Sequence, residues 1–114
     1  MTRIYHNPRC SKSRQALELL RTHGVEPEVV LYLEEPLDVA TITSLLGKLG
    51  ITAAQLMRRS EQDFKDNNLG RADISEDQLL AAMVKYPKLV ERPIVVVGDK
   101  AVLGRPPENV LELL

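Results

Sequence analysis

Two unbroken apolar runs, Val29-Val30-Leu31-Tyr32 and Ile94-Val95-Val96-Val97, bracket a long stretch whose apolar residues recur at helical spacing. Short runs of this kind, rich in β-branched residues and lacking polar alternation, mark strands covered on both faces, so the chain needs a sheet that carries helices. Thr2 to Tyr5 alternates as a first strand, and past Pro8 a helical run begins at Cys10. Ala16, Leu17, Leu19 and Leu20 make its apolar stripe, and His23-Gly24 closes it with a favoured C-terminal glycine. Pro27 to Leu33 holds the second strand, bounded by Glu34-Glu35-Pro36. Strand, helix and strand thus form a βαβ unit, with a right-handed crossover as the default.

Between the two runs lies a helical block. Asp38 caps a helix through Ile42, Leu45, Leu46 and Leu49 to Gly50, and Thr52 caps a short one carrying Leu56 and Met57. Ser60 to Ile74 is polar, with Asn67-Asn68 and Gly70, and reads as a short helix plus loop. Ser75-Glu76-Asp77-Gln78 is a capping box opening a helix on Leu79, Leu80, Met83 and Val84 that stops before Pro87. Ile94 to Val97, the turn Gly98-Asp99-Lys100 and Ala101-Val102-Leu103 read as a hairpin. Pro106-Pro107-Glu108 starts a last helix with Val110, Leu111 and Leu114 inward. The order βα, β, helical block, ββ, α predicts an α/β fold: a mixed central sheet with helices on both faces, of thioredoxin type. At 114 residues, one domain spanning positions 1–114 is expected.

Fifteen Lys and Arg against sixteen Asp and Glu leave a net charge of −1, which gives no global field for nucleic acid or an anionic membrane. Any anion site must be built locally. One cysteine excludes an internal disulfide and a Cys-rich zinc site, and no ligand cluster implies a metal or organic cofactor. No run approaches a membrane span, and Met1-Thr2-Arg3 leads into a strand pattern rather than a signal peptide, so a cytoplasmic location is expected.

That cysteine, Cys10, sits in Tyr5-His6-Asn7-Pro8-Arg9-Cys10-Ser11-Lys12-Ser13-Arg14, between strand and helix. A helix N-terminus offers unpaired N–H groups and partial positive charge, which stabilise a thiolate and attract anions. Arg9, Lys12, Arg14 and His6 lie near enough in sequence to lower the thiol pKa further. The plain alternative is a buried cysteine acting as a small hydrophobe. Cys10-Ser11-Lys12-Ser13 also reads as Cys-x-x-Ser, a dithiol motif whose resolving thiol is an alcohol, so any adduct on Cys10 needs an external thiol such as glutathione. A phosphatase-like loop would want an arginine further on, where Ala16 stands. Three arginines invite an oxyanion reading because the guanidinium fork suits tetrahedral anions: Arg58 at the end of a short helix, Arg92 before Pro93 and a strand, and Arg105 after the next strand. Taken singly, each also reads as a solvated or structural arginine. His6 reads as support for the thiolate or as a strand-end residue, Ser13 as a hydroxyl reaching the sulfur or capping the helix, and Asn7 as orienting the loop or satisfying a turn. His23 reads as stabilising a helix C-terminus.

Tyr-His-Asn-Pro-x-Cys at the start, Leu-Tyr-Leu-Glu after the second strand, Arg-Pro-Ile-Val-Val and then Gly-Arg-Pro-x-Glu resemble the glutaredoxin-linked, ArsC-type arsenate reductases, in particular their short YfgD-like branch. The resemblance covers nearly the whole chain. It implies a thioredoxin-like fold with a helical insertion, Cys10 as nucleophile toward arsenate, Arg58, Arg92 and Arg105 as the oxyanion ligands, and His6 and Ser13 as supports of the thiolate. Glutathione would be the co-substrate and glutaredoxin the protein partner. Apart from the resemblance, the chain is expected to be a monomer. The sequence departs from the best-characterised members by carrying Ser11-Lys12 after the cysteine, Arg9 before it, and an end at Leu114. Two other readings share the scaffold: a monothiol oxidoreductase acting on glutathione mixed disulfides, and an Spx-like regulator binding RNA polymerase, against which Ser13 and the three arginines argue.

Overall fold

In the computed structural model, which describes residues 1–114, the strand β1 (Thr2–Tyr5) is followed by the helix α1 (Ser11–Thr22) and then by β2 (Glu28–Val30), parallel to β1 with Ile4 opposite Val29. β3 (Ile94–Val97) and β4 (Lys100–Leu103) form an antiparallel hairpin, and β3 pairs antiparallel with β1, Ile4 facing Val95. The sheet order is β2-β1-β3-β4, the mixed thioredoxin-like sheet that the order of apolar runs predicts. Gly98 turns the hairpin at φ +62°, which a side-chain-bearing residue rarely adopts. A 3-10 helix over Pro107–Leu113 ends the chain.

The chain divides into two compact units, Met1–Glu35 with Arg92–Leu114, and Pro36–Glu91. In the first, Ile4 of β1, Ala16 and Leu20 of α1, Val95 of β3 and Val110 of the terminal helix are fully buried together, with Leu17, Leu19, Val25 and Val102 packed around them. This core ties the start of α1 to the end of β1, and so fixes where the intervening loop, including Cys10, can go.

The second unit is helical: α2 (Val39–Leu49), α3 (Ala53–Leu56), α4 (Gln62–Asp66), α5 (Glu76–Lys85) and a 3-10 turn, Pro87–Leu89. The caps stand where sequence chemistry predicts them. Asp38 accepts from Thr41 N, Gly50 ends α2 in the left-handed region, and Thr52/Gln55 and Ser75/Gln78 are closed capping boxes. Buried Ile42, Leu45, Leu56, Leu79, Met83 and Leu89 supply its apolar interior. Arg58 N donates to Leu89 O (2.7 Å) and Glu91 N to Leu56 O (2.9 Å), a short antiparallel bridge that closes the unit on itself.

Two expectations need correction. The second strand is not a buried strand through Leu33: β2 is three residues long at the sheet edge, Val29 is 37% exposed, and the chain turns where Glu34 and Glu35 donate to Leu31 O. A continuous apolar run cannot by itself distinguish a central strand from an edge strand whose last residues, here Tyr32, bury beyond the ladder. Leu114, expected inward, is 52% exposed because the last helix is wound as 3-10, whose three-residue turn advances the face faster than an α-helix does.

Candidate active site

The loop from β1 to α1 is folded by its own polar groups. Asn7 Oδ1 accepts from Arg9 N (3.0 Å) and Asn7 O from Cys10 N (3.0 Å), an Asx-type turn that delivers Cys10 to the N-cap position of α1 in extended conformation. The Arg14 guanidinium donates to Pro8 O (2.9 Å) and straps the loop to the first helical turn. Ser13 is fully buried; its hydroxyl accepts from Asn7 N (3.1 Å) and lies 2.6 Å from His6 Nδ1. The hydroxyl is therefore engaged by the loop residues His6 and Asn7, rather than by the sulfur or as a cap of α1, the two roles that its spacing from Cys10 suggests. In the Nε2–H tautomer of a neutral imidazole, Ser13 donates its proton to Nδ1 while its oxygen accepts from Asn7 N.

The surroundings of His6 favour the neutral imidazole: burial lowers its pKa, and the charges of Arg21 and Arg14 lower it further. Its folded pKa therefore lies below the unfolded one, and between the two the unfolded chain binds more protons. Stability falls as pH drops from about 6.5 toward the folded value. Urea unfolding at stepped pH should show this loss in the wild-type chain, and His6→Gln should flatten it across the same window.

Cys10 is half-buried. Burial pushes its thiol up, but this is outweighed by the Ser13 N–H, the Arg92 guanidinium, the Lys12 N–H and the Arg105 guanidinium, and the net pKa lies below that of an ordinary thiol. The two N–H groups act on the sulfur without a formed N-cap hydrogen bond. Arg105 Nη1 stands 3.7 Å from Cys10 Sγ and also donates to Arg92 O (3.2 Å). Arg92 and Arg105 are thus gathered on Cys10 from the two ends of the β3–β4 hairpin. The side chains of His6, Arg9, Lys12 and Arg14, which the sequence suggests as thiolate stabilisers, are not among the groups that lower this pKa; Lys12 acts through its backbone N–H alone.

That gathering depends on backbone closure. Gly104 N donates to Pro93 O (2.9 Å), and a Cβ at Gly104 would stand 2.7 Å from Pro93 Cγ. The peptides Arg92-Pro93 and Arg105-Pro106 are both cis. The sequence signalled Gly-Arg-Pro, but not that Gly104 meets Pro93. Arg58 belongs to the helical unit, where its guanidinium donates to Glu91 (Nη1 to Oε1, 2.6 Å) and pairs with Glu61 (3.5 Å). Nothing in the spacing of the sequence announced those two carboxylates. His23 Nδ1 lies 2.9 Å from Leu19 O at the end of α1, as expected of a helix-terminal histidine. No three His, Cys, Asp or Glu side chains converge as metal ligands, and no helix is long and apolar enough to cross a membrane.

The family model described as the ArsC family matches residues 5–113. An uncharacterised Escherichia coli K12 protein, YfgD, is 58% identical over 98% of this chain and 95% of its own length. An arsenate reductase of Haemophilus influenzae is 47% identical, with 97% of each chain covered. The solved structure of an arsenate reductase from Vibrio cholerae superposes with a TM-score of 0.97 at 48% identity, covering 99% of this chain and 97% of the other.

Proposed function

The chain belongs to the ArsC family, and we propose that it is an arsenate reductase that uses Cys10 as nucleophile and glutathione with glutaredoxin as reductant. The observation that carries this reading is the Arg105 guanidinium 3.7 Å from a thiol whose pKa is lowered. Such a pair holds a nucleophile and an oxyanion receptor within one atom's reach of each other.

In the proposed cycle the Cys10 thiolate forms an S–As bond with arsenate, and one arsenate oxygen leaves as water after taking up protons. Arg92 and Arg105 bind the remaining oxygens and stabilise their charge as the bond forms. The family resemblance adds Arg58 as a third oxyanion ligand, and His6 and Ser13 support the thiolate by holding its loop. Cys10 has no second thiol in the chain. One glutathione thiol therefore attacks the Cys10 sulfur, the S–As bond breaks with its electron pair left on arsenic as arsenite, and the Cys10–glutathione disulfide so formed is resolved by glutaredoxin and a second glutathione, giving one glutathione disulfide and the free Cys10 thiol. This chemistry belongs in a reducing compartment, the cytoplasm, and suits a single 1–114 domain acting as a monomer.

A coupled assay with glutathione, glutaredoxin, glutathione reductase and NADPH decides the matter. NADPH oxidation should require arsenate, glutathione and glutaredoxin together. No arsenate-dependent rate above background would overturn the reading, and exchange with a glutathione mixed disulfide in the same cuvette would then identify a monothiol oxidoreductase.

A further inference from the structure

Arg105 approaches Cys10 from Gly104-Arg105-Pro106, a segment outside β4 and the terminal 3-10 helix in which Gly104 N is tied to Pro93 O while Arg105 itself lies past the end of the ladder. Asn109 supplies the hold. Its Nδ2 donates both to Leu103 O and to Arg105 O, each at 3.2 Å, and its backbone N–H donates to Pro106 O (3.1 Å). One amide thereby joins the end of β4 to the arginine itself. The requirement is chemically narrow: a primary amide carries two N–H donors and can serve two carbonyls, whereas a carboxylate donates to neither and a hydroxyl to only one.

We propose that Asn109 is a positioning residue, which holds the Leu103 and Arg105 carbonyls so that the Arg105 guanidinium stays on Arg92 O and beside the Cys10 sulfur. The proposal deepens the preceding reading and rests on it for the importance of Arg105, but its test needs no arsenate. The pH midpoint of Cys10 alkylation by iodoacetamide reports the thiolate directly. Four proteins are compared: wild type, Asn109→Leu, which keeps the volume and removes both donors, Arg105→Ala, and the double variant.

Asn109→Leu should move the midpoint upward and leave about threefold less thiolate at a fixed pH below it. The double variant should match Arg105→Ala, because a residue that acts through Arg105 has nothing to act on once Arg105 is gone. Asn109→Ser, with one donor left, should fall between wild type and Asn109→Leu. An unmoved midpoint in Asn109→Leu, or a double variant shifted by the sum of the single shifts, would overturn the proposal. Failure of the arsenate reading would appear separately, as a wild-type protein with no arsenate-dependent turnover and an unchanged alkylation pattern across the four proteins.

Discussion

Cys10→Ser should lose arsenate-dependent turnover by about 10⁴-fold or more, the scale seen when a covalent nucleophile is removed, while the protein stays folded. An alkoxide at this position would form far less readily than a thiolate, since the Arg105 and Arg92 guanidinium groups and the two N–H groups shift a pKa but do not close the gap between an alcohol and a thiol. The electron count adds a second barrier. Reduction of As(V) requires a sulfur that can pass into a disulfide, and oxygen offers no such exit. Stability moves differently. Cys10 is the N-cap of α1, a position at which serine is favoured, so the variant should hold its stability near neutral pH.

The pH dependence separates the two proteins. The folded thiol titrates below the unfolded one, so between the two pKa values the unfolded chain binds more protons and wild-type stability rises with pH. That contribution is full above about 9 and is lost as pH falls through the folded pKa. Urea midpoints of wild type and Cys10→Ser at pH 6 and pH 9.5 should therefore show wild type gaining on the variant at the higher pH; parallel behaviour would mean that the thiol is not held below its ordinary value.

Much of this site is legible in the sequence because its chemistry is local. Cys10 at a strand-to-helix junction, the caps at Asp38, Thr52 and Ser75, and the hairpin around Gly98 each follow from neighbours within four residues. Contacts that span the chain are not written in that way. Arg105 meets Cys10 across ninety-five positions, and Arg58 meets Glu91 across thirty-three. Charge type named Arg92 and Arg105 as candidates, but only the folded sheet brings them onto one sulfur. The basic residues nearest in sequence show the opposite case, since Arg14 spends its guanidinium on Pro8 O. Ser13 repeats the lesson: the residue was identified by its spacing from Cys10, yet its hydroxyl serves His6 and Asn7 and its backbone serves the sulfur.

Gly104→Ala should be the most damaging single methyl added to the sheet unit. The new Cβ would stand 2.7 Å from Pro93 Cγ, 3.2 Å from Ala16 Cβ and 3.3 Å from Pro93 Cδ. Neither neighbour is the loose end of a flexible side chain: Pro93 is a fully buried ring, and Ala16 belongs to the central core. Relief must come from the backbone, by stretching the Gly104 N–H to Pro93 O bond and carrying Arg105 away from Arg92 O and Cys10. Overpacking of this kind costs about 1–3 kcal/mol, and displacement of a positioned charge by an ångström costs about 10²-fold in rate. Gly47 in α2 is the internal contrast, since a Cβ there meets nothing within 4 Å and φ is not positive. Gly47→Ala should therefore gain about 0.5–1 kcal/mol from helix propensity and leave turnover alone. Urea midpoints and kcat/KM for the two variants test the argument together: opposite signs in stability, with the rate falling only in Gly104→Ala, are expected if the hairpin's close approach to Pro93 is what delivers Arg105 to the thiolate, and equal behaviour would show that it is not.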